Sequence, residues 1–299
     1  MLHIVQYKLF DLYLKKEFFR FNKENPPFET NLNNYIPNNI DLSSVIRWHD
    51  WSDHSFKFIS NYGKATGFSF KDKKYQLCKL SLKEFSLLVE KKIIDNWQCE
   101  IQVVQGLAAS KSKLSEFSNL DEMVEKNSRE LIYPISLETL EKNLSHRESN
   151  IFHEDPTDYF TIYQWNKKLF LINSGGSHHF AAARYLARRL NKKITLSGKL
   201  YYYKFNQNII NLLENKFDIF ILSWPNIELS NLHKFLKKLR IEYFIRYMPQ
   251  PITDKFLLLL LPKNTKNTKI AELLRGNNYL DFTAYIKNLA KYHNPIYHQ

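Results

Sequence analysis

The sequence predicts a mixed α+β to α/β fold on three observations. Strand and helix signals alternate through its second half. A short apolar strand, Leu169–Ile172, passes through Ser174-Gly175-Gly176 directly into a strongly helical stretch ending near Leu190. The composition, 44% hydrophobic with 22 Phe and 18 Tyr among 299 residues, is that of a packed protein whose core needs neither disulfide nor metal.

Taken in order, residues 8–20 read as an amphipathic opening helix, and the Asn/Pro-rich stretch Phe21–Asn39 reads as a linker. Arg47–His54 groups two histidines and two aspartates around Trp48 and Trp51, which makes a metal site conceivable, but the spacing fits no metal motif and better suits a polar turn. Strands are expected at Phe56–Ser60 and Thr66–Phe70, a helix over Leu82–Asp95 and a strand at Glu100–Val104. Next come a helix after Pro134, hairpin strands Phe160–Trp165 and Leu169–Ile172, the glycine turn with its helix, and a strand at Ile194–Phe205. The remainder reads as helix Gln207–Lys216, strand Asp218–Trp224, helix Glu228–Arg240, strands Tyr243–Met248 and Phe256–Leu261, and helices from Thr268 and from Leu280. The expected organisation is an N-terminal α+β region (1–125), a central core (126–206) and a basic C-terminal α/β region (207–299).

The glycine turn carries the chemistry. A strand, two glycines and a helix start aim unpaired backbone N–H groups and the positive end of a helix dipole at one point, which suits a phosphate. Gly175 and Gly176 remove side chains that would hold an anion off the backbone, and Ser174 or Ser177 can cap the helix. His178 and His179 stand in the first turn, able to donate to the same anion or to move a proton. The same pattern also serves as an ordinary tight connection.

This stretch resembles the phosphate-binding turn of the ParB/sulfiredoxin superfamily. Gly175-Gly176-Ser177-His178-His179-Phe180-Ala181-Ala182 falls on the places of the sulfiredoxin G-G-C-H-R-Y-A-A motif; ParB proteins have G-E-R-R there, and the superfamily's ADP-dependent serine kinases G-H-H-R. Ser177 stands where sulfiredoxin has its reactive cysteine, so repair by thiol chemistry is not expected, and His179 replaces the arginine, making the grip pH-dependent. Tyr133–Leu140 resembles the family's opening box, a proline-isoleucine strand end leading into a short helix. Arg147 falls roughly where ParB proteins place a phosphate-contacting arginine; the further helix that the family has before the next strand is either lost here or replaced by an earlier segment such as Asn119–Glu130. The resemblance covers residues 130–205. It implies a ParB/sulfiredoxin-like mixed-sheet core that binds a nucleotide such as ATP, ADP or CTP with Mg²⁺ and hydrolyses it or transfers its phosphate. Glu138 or Glu141 would be base or metal carboxylate, by similarity to the serine-kinase branch.

Charge supplies the alternative. Residues 1–180 balance 23 Lys/Arg against 23 Asp/Glu, whereas residues 181–299 carry 20 against 7. Such asymmetry suits a polyanion-binding face or a solubilising surface. The helix Glu228–Arg240 puts Lys234, Lys237 and Lys238 off its apolar stripe, where they could extend a DNA or RNA track. A nuclease, a nucleic-acid binder and a non-enzymatic scaffold therefore stand beside the nucleotide enzyme. Cys78 and Cys99 lack metal-ligand spacing and fit core thiols in a reducing compartment such as the cytoplasm. The N-terminus shows no secretory pattern, and the longest apolar run, Phe256–Leu261, is too short to span a bilayer. P-loop, dinucleotide, zinc-protease and G-x-S-x-G signatures are absent.

Overall fold

The computed structural model describes residues 2–27, 32, 38–51, 64–72, 74–154, 156–223 and 227–291, with side chains from Phe10 onward. In chain order the elements are α1 (Leu2–Glu24), β1 (Lys64–Lys71), β2 (Lys74–Ser81), α2 (Lys83–Ser86), β3 (Val89–Glu100), β4 (Val104–Leu107), α3 (Leu120–Asn127) and α4 (Leu137–Leu144). They continue with β5 (Tyr159–Tyr163), β6 (Leu169–Ile172), α5 (Ser177–Arg189), β7 (Thr195–Phe205), α6 (Gln207–Lys216), β8 (Phe217–Ser223) and α7 (Leu229–Lys238). The last are β9 (Tyr243–Tyr247), β10 (Phe256–Pro262), α8 (Thr265–Gly276), β11 (Leu280–Asp281) and α9 (Phe282–Ala290). The fold is mixed α+β, with two sheets among the described residues.

Two compact units divide the chain: one holds Met1–Leu32, Arg47–Val89 and Phe205–Lys291, the other Asn33–Ile46 and Glu90–Lys204. The change of unit at Lys204/Phe205 falls beside the expected boundary at 206, whereas residues 1–125 are shared between the units, because β1 pairs with β9 and residues 97–124 contribute to the core around the glycine-turn helix.

The first unit is built on a sheet of order β11-β8-β10-β9-β1-β2, antiparallel at every given pairing. β8 is buried along its whole length and β10 at every residue but its last. Leu14, Phe18 and Phe21 of α1 pack with Leu232, Phe235 and Leu236 of α7 in one core cluster, and Trp48, Trp51, Phe85 and Phe282 form a second aromatic group. Gly67 is required where β1 meets β9, since a Cβ there would lie 1.9 Å from the Tyr243 carbonyl oxygen.

The second unit has a sheet of order β3-β7-β5-β6-β4. β5 and β6 form the expected antiparallel hairpin, β5 runs parallel to β7, and β4 runs parallel to β6. Helices α3, α4 and α5 join its core through Leu120, Met123, Val124, Leu140 and the small residues Ala181, Ala182, Ala183 and Ala187. Burying this apolar surface is the main stabilising term, at roughly 25 cal/mol per Å².

Three expectations are corrected. The helix over Leu82–Asp95 shrinks to α2, and the rest becomes β3, an edge strand in which the β-branched Ile93 and Ile94 suit the pleat, Lys91 lies over the Tyr201 ring and Lys92 is exposed. The strand at Glu100–Val104 is a 3₁₀ turn, Ile101–Val103, and β4 begins only at Val104. Tyr133–Ser136 is irregular backbone and no strand end; Ser136 caps α4 by accepting from the Thr139 N–H. The expected strand Phe56–Ser60 lies outside the described residues.

Candidate functional site

Parallel pairing of β4 with β6 brings together two loops far apart in sequence. The register Val104↔Leu169, Gly106↔Phe170 and Leu107↔Leu171 places both carboxyl ends at one sheet edge, the usual position of ligand sites on parallel strands. Asn173, buried just past β6, ties the loops together: it accepts from the Ala109 N–H at 3.2 Å and donates to the carbonyls of Ala109 and Gly175, each at 2.9 Å. The Ser174 N–H donates to buried Asp158 at 3.3 Å; burial pushes that carboxyl above its usual range.

Gly176 precedes α5 in the left-handed conformation, φ 63° and ψ 14°, which glycine adopts without a Cβ penalty. A Cβ there would sit 2.5 Å from Ser149 Oγ and 2.6 Å from the Glu148 carbonyl oxygen. Packing against 148–149 thus dictates this glycine, in addition to any approach by an anion. Gly175 is roomier, with a hypothetical Cβ 3.5 Å from Glu148. No side chain caps α5, which leaves the N–H groups of its first turn without side-chain partners.

The turn opens into a cavity of about 1080 Å³ lined by Ser174–His179, Ala109–Ser112, Asn127, Ser128, Glu130, Leu131, Glu148 and Asn150. His178 is the centre of a hydroxyl network within it. Ser128 Oγ lies against Nδ1, while Ser112 Oγ at 3.1 Å and Ser110 Oγ at 3.4 Å face Nε2. Ser177 donates to Ser110 Oγ at 2.9 Å, the Ser112 N–H donates to the same oxygen at 3.1 Å, and Asn127 Nδ2 donates to Ser112 Oγ at 2.8 Å. Burial holds His178 below the ordinary imidazole value; Glu130 pulls it up and Lys111 pushes it down.

His179 is anchored separately. Asn143 gives its amide protons to the carbonyls of Leu131 and Thr139, so its Oδ1 faces His179 Nδ1 at 2.9 Å as an acceptor. The neutral ring therefore carries its proton on Nδ1 and its lone pair on Nε2. Burial, then the stacked His146 ring, depress its pKa.

Ser174, Gly175, Gly176, Ser177, His178 and His179 all line the cavity. Glu138 does not: it is exposed on α4, 2.8 Å from Lys142 in an i,i+4 pair that holds its carboxyl below the usual range. Arg147 is exposed and outside the cavity lining. Among the described residues between it and β5 the one helical element is a 3₁₀ turn, Asn150–Phe152, whereas α3 packs on α5. The lysines lie in the other unit: Lys234 and Lys237 are exposed, and Lys238 is bound 2.7 Å from Glu17 of α1.

Reasoning from sequence missed Ser110, Lys111, Ser112, Ser128, Glu130 and Glu148. The usable signal was the small, hydroxyl-rich run Ala108-Ala109-Ser110-Lys111-Ser112 after a strand. It also missed a cavity of about 880 Å³ in the first unit, walled by Trp51, Phe68, Tyr243 and Tyr247, with His233 donor or acceptor to the Tyr243 hydroxyl at 3.0 Å. Among the described residues no group of three or more His, Cys, Asp or Glu could hold a metal ion, and no helix is long and apolar enough to cross a membrane.

No curated protein and no solved structure matches the chain. One family model covers residues 94–297, which takes in the glycine turn, the serine loop and the sheet edge between them, and the chain accordingly belongs to a family of unknown function, DUF6685.

Proposed function

We propose that the unit containing Glu90–Lys204 is a nucleotide-binding domain of ParB/sulfiredoxin-like type, which holds phosphates at the Ser174–His179 turn and hydrolyses the nucleotide or transfers its phosphate. One observation carries this reading: the uncapped start of α5 and its two histidines open into the same cavity as Lys111 and the hydroxyls of Ser110, Ser112 and Ser128. Backbone N–H groups at a helix start and a lysine are the groups that recognise phosphate, and 1080 Å³ accommodates a nucleotide. His178, held below the ordinary imidazole value by burial, can accept a proton as base and return it as the imidazolium. Glu130 and Glu148 are carboxylates at the cavity that suit Mg²⁺ carried in by phosphates, which keeps most of its waters and needs only one or two protein ligands.

The test is thermal stabilisation of the full chain by ATP, ADP, CTP, GTP and a short DNA, each with Mg²⁺. A ligand favouring the native state raises the midpoint, contributing about 2.7 kcal/mol at a hundred times its Kd. Stabilisation by a nucleotide, competed by inorganic phosphate, is the expected result. No shift with any nucleotide at millimolar concentration overturns the reading. The DNA arm tests the nucleic-acid alternative, which rests on Lys234 and Lys237 now that Lys238 is paired with Glu17.

A further inference from the structure

Three separate elements converge on one proton path. Ser112 comes from the loop after β4, His178 from the first turn of α5, and Asn127 and Ser128 from the end of α3; all four line the cavity. The Asn127 amide nitrogen has no lone pair and can only donate, so its 2.8 Å contact occupies an acceptor site of Ser112 Oγ. The Ser112 proton is then free to point at His178 Nε2, 3.1 Å away. That direction requires the neutral ring to carry its own proton on Nδ1, where Ser128 Oγ, buried, is in place to accept it. Nucleophile, base and a third group orienting the base is the arrangement that activates a serine. Ser110 also faces Nε2, but more distantly, and its oxygen already receives the Ser112 N–H and the Ser177 hydroxyl. It holds the loop.

We propose that Ser112 is a nucleophile, deprotonated by His178, that takes the terminal phosphoryl group from a nucleoside triphosphate bound at the glycine turn. The inference rests on the nucleotide reading above. In the step, Ser112 Oγ forms a bond to the terminal phosphorus while the bond from that phosphorus to the bridging oxygen breaks. The nucleoside diphosphate leaves, and the hydroxyl proton passes to His178 Nε2. Water then attacks the phosphoserine: the Oγ–P bond breaks, inorganic phosphate departs, and the imidazolium returns a proton to Oγ. Ser128 and Asn127 are positioning residues, which set the ring tautomer and the direction of the Ser112 proton.

A fluorophosphonate probe tests this on the full chain, because its P–F bond breaks as Oγ–P forms and the adduct does not turn over. Peptide mass spectrometry should place the adduct on Ser112. His178→Ala should slow labelling about 100-fold or more, Ser128→Ala should slow it less, and ATP, GTP or CTP should protect. If His178→Ala fails to fold, the wild-type pH profile serves in its place. Labelling should rise with pH through one ionisation below the ordinary histidine value of 6.5, set by burial with Glu130, Lys111 and neighbouring His179 around the ring. An adduct absent from Ser112, or equally fast in His178→Ala, overturns the proposal. It does so without touching nucleotide binding, which the thermal shift reads separately. Labelling that no nucleotide slows removes the nucleoside triphosphate as donor.

Discussion

His146 stacks on His179, ring centroids 3.5 Å apart and planes 11° from parallel. Two imidazoles so placed cannot both be protonated without like-charge repulsion. His179 is also desolvated, so its folded-state pKa lies below the ordinary 6.5. A depressed histidine binds fewer protons folded than unfolded. Its contribution to stability is therefore complete above the unfolded value and is lost as pH falls from there through the folded one. His178 is shifted in the same direction. Thermal midpoints should drop on acidification from about pH 6.5 to 5, and His179→Gln should flatten that slope. An unchanged slope in His179→Gln would exclude His179 as a source of the acid sensitivity.

The two glycines of the turn should separate stability from binding. Gly176→Val forces a β-branched residue to φ 63°, with its Cβ 2.6 Å from a backbone oxygen. The left-handed conformation alone costs about 1–2 kcal/mol, and the overlap adds more. This variant should be several kcal/mol less stable in urea. Gly175→Ala meets only ordinary contacts and should fold, so it is the variant in which reduced nucleotide stabilisation reports on the phosphate cradle. A Gly176→Val protein with wild-type urea stability would show that the turn is not packed as described.

What was legible in the sequence was local. The β5–β6 hairpin, the turn and α5 lie within one continuous stretch, and their signals are apolar runs, a Gly-Gly pair and small residues at helical spacing. The start of α6 is set by Asn206, which accepts from the Ile209 N–H, and the expected bounds of that helix match. The site's other half was illegible because it is nonlocal. Ser112 and Ser128 reach His178 across 66 and 50 residues, through a β4–β6 pairing that no neighbouring residue encodes. β3 was misread for a related reason. Its apolar residues do not alternate cleanly, and only β7 at its side makes it a strand.

Asp121 should be the most sensitive charged residue in the same unit. It is buried near the start of α3 and meets Arg184 Nη1 at 2.7 Å, Arg188, and Arg189 Nη1 at 3.6 Å on α5. Arg184 is itself largely buried, with its guanidinium also donating to the Gln102 carbonyl. Removing one partner of a buried pair leaves the other charge desolvated. Because Arg188 is half exposed and can return to water, Asp121→Ala should cost about 3 kcal/mol, at the lower end of the buried-pair range. Urea unfolding measures it. Loss of less than about 0.5 kcal/mol, the scale of a surface pair, would mean the cluster is solvated.

Asn173 should decide whether the site is held ready before ligand arrives. Its side chain makes two hydrogen bonds to Ala109 in the loop after β4 and one to Gly175 of the glycine turn, and it is buried. Asn173→Ala leaves the Ala109 N–H and the Ala109 and Gly175 carbonyls without those partners, at about 1–3 kcal/mol for a buried unsatisfied group. Asn173→Asp keeps the acceptor, loses both donors and adds a buried charge, so it should be the worse of the two. In either variant Ser110 and Ser112 lose their fixed distance to His178. Nucleotide stabilisation, measured well below the melting range, should weaken at least about tenfold in apparent affinity, or 1.4 kcal/mol. Weakening beyond what lost stability explains is the signature of preorganisation. A folded Asn173→Ala protein with unchanged affinity would show that the serine loop takes no part in binding.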